Sequence, residues 1–165
     1  MHYIYKNLKY EDGSYTVCTG PTNDNIKEVV FHPNTKVIAK KAFANCYGFN
    51  NVVFPDSLEL IRENAFLNCA IKEADLSKTS VQLLNGCFTG CYALEKVSLP
   101  KSLTVIPKEG FKGCRSLEKI DLSKTKVNLV EESAFEDCVS LKEVKKPKSL
   151  KTIEQAAFKN TKIED

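Results

Sequence analysis

Residues 94–114 read Leu94-Glu-Lys-Val97-Ser-Leu99-Pro100-Lys-Ser102-Leu103-Thr-Val-Ile106, then Pro-Lys-Glu, then Gly110-Phe111-Lys-Gly-Cys114. This stretch recurs, in altered spelling, six times. Phe43, Phe66, Phe88, Phe111, Phe135 and Phe158 return every 22 to 24 residues, and Cys46, Cys69, Cys91, Cys114 and Cys138 follow the first five by three positions. Self-similarity at that period marks a solenoid, in which each repeat is one coil packed on its neighbours.

Working outward from the quoted stretch, Leu94, Val97 and Leu99 have the spacing of a short strand with one face buried. The middle position recurs as Val29, Val52, Ala74, Val97, Ile120 and Val144, mostly β-branched residues that suit a pleated surface. Two residues on stand Phe31, Phe54, Leu76, Leu99 and Leu122, and then Lys146 breaks the row. Each coil is therefore expected to give one short strand of a parallel sheet with rungs roughly 4.8 Å apart. A second apolar row lies five residues before each phenylalanine: Ile38, Ile61, Leu83, Ile106, Val130 and Ile153. A small residue precedes each ring (Ala42, Ala65, Cys87, Gly110, Ala134, Ala157), which predicts a tight helical turn there. No apolar period of 3.6 residues persists, so a helical fold is excluded. A polar row, Asn34, Ser57, Thr79, Ser102, Thr125 and Ser149, is expected at an interior turn, satisfying backbone groups where the strand ends. Coils spelled Pro-x-Ser-Leu alternate with coils spelled Leu-Ser-Lys-Thr, read as two solutions to one corner.

These elements, with Cys, Pro-x-Ser-Leu and Ala-Phe in fixed order, resemble the BspA-type leucine-rich repeat over about residues 26–163. The resemblance implies a right-handed, mainly β solenoid, roles in adhesion or protein binding at the cell surface or in a secreted setting, and no catalytic residues. The domain reading is an N-terminal capping hairpin over 1–20, followed by about six repeats over 21–165, the last incomplete. Tyr3–Tyr5, Leu8–Tyr10 and Tyr15–Cys18 alternate around Asp12-Gly13, a hairpin signal. Thr161–Asp165 begins a seventh strand and leaves the last coil unfinished.

Twenty-four basic and 21 acidic residues are largely interspersed, giving +3, so no broad basic surface for nucleic acid is present. The cluster Lys142, Lys145, Lys146, Lys148 and Lys151 reads as a solvated terminal face. No apolar stretch reaches the roughly 18 residues of a spanning helix. Met1–Lys6 lacks the charged-then-apolar plan of a secretory signal; at face value the sequence reads as intracellular, against the setting the resemblance implies. The cysteine row is read as packing, ahead of disulfides or a metal site, because Thr161 fills the same slot in the sixth repeat. His2 and His32 lack sequence partners for a catalytic set, and no phosphate loop occurs. The sequence is thus read as a non-enzyme without cofactor.

Alternation along the strands assigns three outward rows. The first is Glu28, Asn51, Glu73, Lys96, Lys119 and Glu143; the second is Val30, Val53, Asp75, Ser98, Asp121 and Lys145; the third is His32, Pro55, Ser77, Pro100, Ser123 and Pro147. The expected function is protein binding through this face, at Glu73, Asp75, Lys96, Ser98, Lys119, Asp121, Glu143 and Lys145, with a protein ligand. The rival expectation is a structural or spacer module that self-associates through its C-terminal coil.

Overall fold

Each coil has three sides, and each side stacks on the next coil in its own way. The computed structural model describes residues 3–164. The first side carries β4 (Val29–Val30), β6 (Val52–Val53), β8 (Glu73–Asp75), β10 (Lys96–Ser98), β12 (Lys119–Asp121) and β14 (Glu143–Lys145). The second carries β5 (Val37–Ile38), β7 (Leu60–Ile61), β9 (Gln82–Leu83), β11 (Val105–Ile106), β13 (Leu129–Val130) and β15 (Thr152–Ile153). The apolar row at Ile38 and Ile61 is therefore a second parallel sheet, where one strand per coil was expected.

The third side holds the phenylalanines, and it is a chain of tight turns with no helix among the described residues. Alternate amides bond within the coil, as in Ala42 N–H to Ala39 C=O (3.1 Å) and Ala44 N–H to Lys41 C=O (3.1 Å). The amides between them donate to the next coil: Lys41 to Glu63 (3.0 Å), Phe43 to Ala65 (2.8 Å) and Asn45 to Leu67 (2.7 Å). Such alternation needs left-handed backbone two residues before and after each ring. Lys41 (φ 56°), Asn45 (φ 61°), Glu109 (φ 55°), Gly113 (φ 73°), Ala156 (φ 56°) and Asn160 (φ 59°) all adopt it. Glycine and asparagine accept that region readily; lysine, glutamate and alanine are strained in it.

Inside, the rings of Phe43, Phe66, Phe88, Phe111, Phe135 and Phe158 form one stacked column. Successive centroids lie 5.2, 5.3, 5.5, 5.4 and 5.3 Å apart, with planes within 7° of parallel. The cysteines pack beside this column, all free and all buried. Their thiols do more than fill space. Cys69, Cys91, Cys114 and Cys138 donate to the carbonyls of Phe43, Phe66, Phe88 and Phe111 on the preceding coil, at 2.9, 3.1, 3.3 and 3.0 Å. Thr161, in the same slot, bonds instead to Phe158 of its own coil (2.8 Å).

The two corner spellings are two turns. In proline coils the turn closes one residue later, from Leu58 N–H to Pro55 C=O (3.0 Å) or Leu103 N–H to Pro100 C=O (3.1 Å). In the others it closes from Thr79 N–H to Leu76 C=O (3.1 Å) or Thr125 N–H to Leu122 C=O (3.0 Å). Thr79 and Thr125 are buried and bond their own coil, while Ser57 and Ser149 reach back to the coil before. Asn34 and Ser102 are exposed, so the polar row is interior only in part. The first sheet is laddered in pairs of coils, β4–β6, β8–β10 and β12–β14.

At the N-terminal end β1 (Tyr3–Tyr5), β2 (Leu8–Tyr10) and β3 (Val17–Pro21) form an antiparallel meander, and β3 pairs in parallel with β5. Tyr10 is buried; its hydroxyl lies 3.0 Å from Thr35 Oγ1 and accepts the His32 amide at 2.9 Å. Tyr15 stacks on the His32 ring at 4.6 Å. At the other end residues 161–164 form no strand, although Lys162 N–H reaches Leu141 C=O (2.8 Å).

Candidate functional site

The first side brings the expected binding residues together in register. Glu73 stands opposite Lys96 and Asp75 opposite Ser98; Lys119 stands opposite Glu143 and Asp121 opposite Lys145. Two of these pairs are ion pairs, Lys96–Glu73 at 3.4 Å and Lys119–Glu143 at 3.3 Å. Exposed pairs of this kind add little stability, so the charges are spent on the surface pattern.

Asp75 and Asp121 have a second task. The Oδ1 of Asp75 accepts the Ser77 amide (3.0 Å) and hydroxyl (2.6 Å), and that of Asp121 accepts the same groups of Ser123 (2.9 and 2.6 Å). These hydrogen bonds hold both carboxyls below the usual aspartate range, the serine hydroxyl contributing most. The Asp-Leu-Ser spelling at 75–77 and 121–123 is an Asx-type turn that sequence reading missed; its signal is the aspartate two residues ahead of a serine.

The third expected row faces outward only at Ser77 and Ser123. Pro100 and Pro147 are buried and Pro55 is half-buried, because the chain leaves the strand at Ser98 or Lys145 and rounds the corner, so alternation ends there. His32 is held in the Tyr5–Tyr15 aromatic cluster, and His2 lies outside the described residues. In the second row, Val53 is 76% exposed beside the half-buried Val30. The second row thus begins apolar and becomes polar from β8 onward.

The face is also indented. Between β10 and β12, where the ladder is interrupted, a crevice of about 800 Å³ is lined by Lys96, Ser98, Lys119 and Asp121 together with Glu95, Arg115, Ser116 and Glu118. Of the basic cluster, Lys142 is engaged by Glu118 at 2.8 Å, which raises the lysine and lowers the glutamate. Burial pushes the thiols of Cys18 and Cys91 up to about 12, which disfavours the thiolate needed by a nucleophile or metal ligand. Among the described residues no group of three or more His, Cys, Asp or Glu is placed to hold a metal ion.

Comparison with known proteins agrees with the fold. The profile of the BspA type leucine rich repeat region matches residues 22–126 and 61–165, with six copies. A leucine-rich repeat protein from Bacteroides ovatus is similar in structure, with a TM-score of 0.75 at 23% identity over 99% of this chain and 48% of that one. One from Eubacterium ventriosum has a TM-score of 0.82 at 18% identity, over 99% and 50%. A leucine-rich repeat protein of T. pallidum has a TM-score of 0.58 at 22% identity, over 84% and 75%. No curated protein matches the chain. The chain spans about half the length of the first two structures, and at these identities the likeness is one of fold. Six matched repeats, the stacked phenylalanines and the two short parallel sheets lead to one conclusion: the chain belongs to the BspA-type leucine-rich repeat family.

Proposed function

We propose that the chain is a protein-binding module whose contact surface is the exposed face of the first sheet, with adhesion as its setting. The observation that carries this reading is the crevice between β10 and β12, where Lys96, Ser98, Lys119 and Asp121, four of the expected binding residues, line one concave feature of the face. A surface with opposite charges at fixed register favours a complementary partner and steers its approach. Val53, exposed on the same face, supplies apolar contact two coils away.

The test begins with a pull-down by the intact domain, followed by a titration with the captured protein. Lys96→Glu with Lys119→Glu, placed on exposed side chains, leaves the circular dichroism spectrum unchanged and weakens binding at least tenfold. Asp75 and Asp121 are poor choices, since reversing them also breaks their turns. Normal binding by the double variant, with loss on changing Tyr3, Tyr5 or Lys148, would move the site to an end of the solenoid and refute the reading.

A further inference from the structure

The second sheet is laddered from coil to coil except at one junction. Strands β3, β5, β7 and β9 belong to one sheet and β11, β13 and β15 to another, so the interruption falls between the third and fourth coils. Its cause is a single residue. The residue after each second-side strand donates to the coil before: Ala39 to Cys18 (2.9 Å), Arg62 to Ile38 (3.0 Å), Leu84 to Ile61 (3.0 Å), Glu131 to Ile106 (3.0 Å) and Glu154 to Val130 (2.9 Å). In the fourth coil that residue is Pro107, which has no N–H to give the Leu83 carbonyl. The preceding rung bond fails with it. Leu60 and Gln82 donate to Lys36 and Glu59 at 3.0 and 2.9 Å, whereas neither Thr104 nor Val105 donates to the third coil.

The gap is a crevice of about 490 Å³ between Gln82 and Leu84 on one wall and Thr104, Val105 and Pro107 on the other. A second substitution accommodates the proline. The small-residue row has alanine or cysteine in five coils and Gly110 only here, and a Cβ at 110 would lie 2.9 Å from Pro107 Cγ. Pro107 and Gly110 act as a matched pair.

The other two sides of this junction are intact. On the first side Glu73–Asp75 pair with Lys96–Ser98. On the phenylalanine side Gly86, Phe88 and Gly90 donate to Lys108, Gly110 and Lys112 at 2.9, 2.9 and 2.7 Å. The junctions between β6 and β8 and between β10 and β12 also lack a ladder, but on the first side, and no missing amide forbids closure of the second sheet there. We infer that Pro107 makes the junction of the third and fourth coils a hinge, held on two sides and prevented by covalent structure from closing on the third. Opening it tilts coils four to six away from coils one to three on the second side. The exposed face of the first sheet closes up by the same rotation, and so adjusts its curvature.

Residue-resolved amide exchange of the intact chain tests this, because opening exposes amides that a ladder would protect. The Val105 amide should exchange at least tenfold faster than those of Leu60 and Thr152, its equivalents in laddered coils. Pro107→Ala restores the N–H, and Pro107→Glu copies Glu131 and Glu154. Each should slow Val105 exchange at least threefold and narrow the spread of shapes seen by small-angle scattering. Val105 protected as well as Leu60 in the natural sequence would overturn the hinge. So would Pro107→Ala and Pro107→Glu proteins that fold, with scattering and Val105 exchange unchanged.

Discussion

Replacing Phe111 by alanine probes the column that joins the coils. The Phe111 ring is fully buried and lies 5.5 Å from Phe88 and 5.4 Å from Phe135, near-parallel to both. Taking the ring out of the core forfeits about 2–3 kcal/mol of transfer free energy. The void lies between two rings fixed by backbone ladders on either side, so it collapses poorly and brings the total to about 3–5 kcal/mol. Phe158 supplies the internal control: it is half-buried and, in the column, stacks on Phe135 alone, at 5.3 Å. Its loss should cost about 1–2 kcal/mol, since only part of the ring leaves water. Urea unfolding followed by circular dichroism measures both, with the slope of the transition checked for constancy. A loss under about 1 kcal/mol at Phe111, the range of surface changes, or a loss no larger than that at Phe158, would refute the idea that stacking of this column holds the coils together.

Other expectations concern the turns and the thiols. Ala156→Gly should raise stability by about 0.5–1 kcal/mol in the same assay, by relieving left-handed strain at φ 56° in excess of the added chain entropy; a destabilised variant would contradict the strain argument. Gly86→Ala should destabilise, because its Cβ would meet the side-chain oxygen of Asn64 as well as adopt φ 68°. Cys114→Ala should cost about 1–2 kcal/mol for a small void and a lost thiol bond to Phe88 C=O. A reducing agent should leave the melting curve unchanged; a marked drop would point to a cross-link. Because burial raises the thiols of Cys18 and Cys91 to about 12 from 9.0, the unfolded chain releases its protons first. This contribution is therefore complete below pH 9 and falls between pH 9 and 12, by about 1.4 kcal/mol per pH unit per thiol, a decline that alkaline titration of unfolding would reveal or exclude.

The period, the buried rows and the exposed charges were legible because a strand of three residues already shows alternation: Glu73-Ala74-Asp75 and Lys119-Ile120-Asp121 each read out, in, out. Two-residue strands such as Leu60–Ile61 show none, which is why the second sheet read as a bare apolar row. The left-handed positions were hidden by Lys41, Glu109, Ser133 and Ala156, residue types that do not announce that conformation. Pro100 and Pro147 were placed outward by continuing an alternation past the end of its strand. The ion pairs of Lys96 and Lys119 depend on cross-strand register, which one strand alone does not reveal. The thiol bonds depend on the distance between coils, which a spacing within one coil does not contain.

The alternation of amides on the phenylalanine side gives the solenoid a direction. At every rung the donors of one coil point toward the C-terminal end and the carbonyls of the next point back, from Lys41, Phe43 and Asn45 to Ser133, Phe135 and Asp137. Peptide dipoles so aligned add along this side, whereas the second-side amides of Arg62 and Leu84 point the other way, to Ile38 and Ile61. On the phenylalanine side a coil face is therefore polar in hydrogen bonding: its C-terminal edge offers amides and is met only by carbonyls. Two such faces turned toward each other about a two-fold axis would set donor against donor on that side. Stacking through the turns can therefore extend in one sense only, head onto tail, and at the N-terminal end the β1–β3 meander pairs with the first coil's second-side strand.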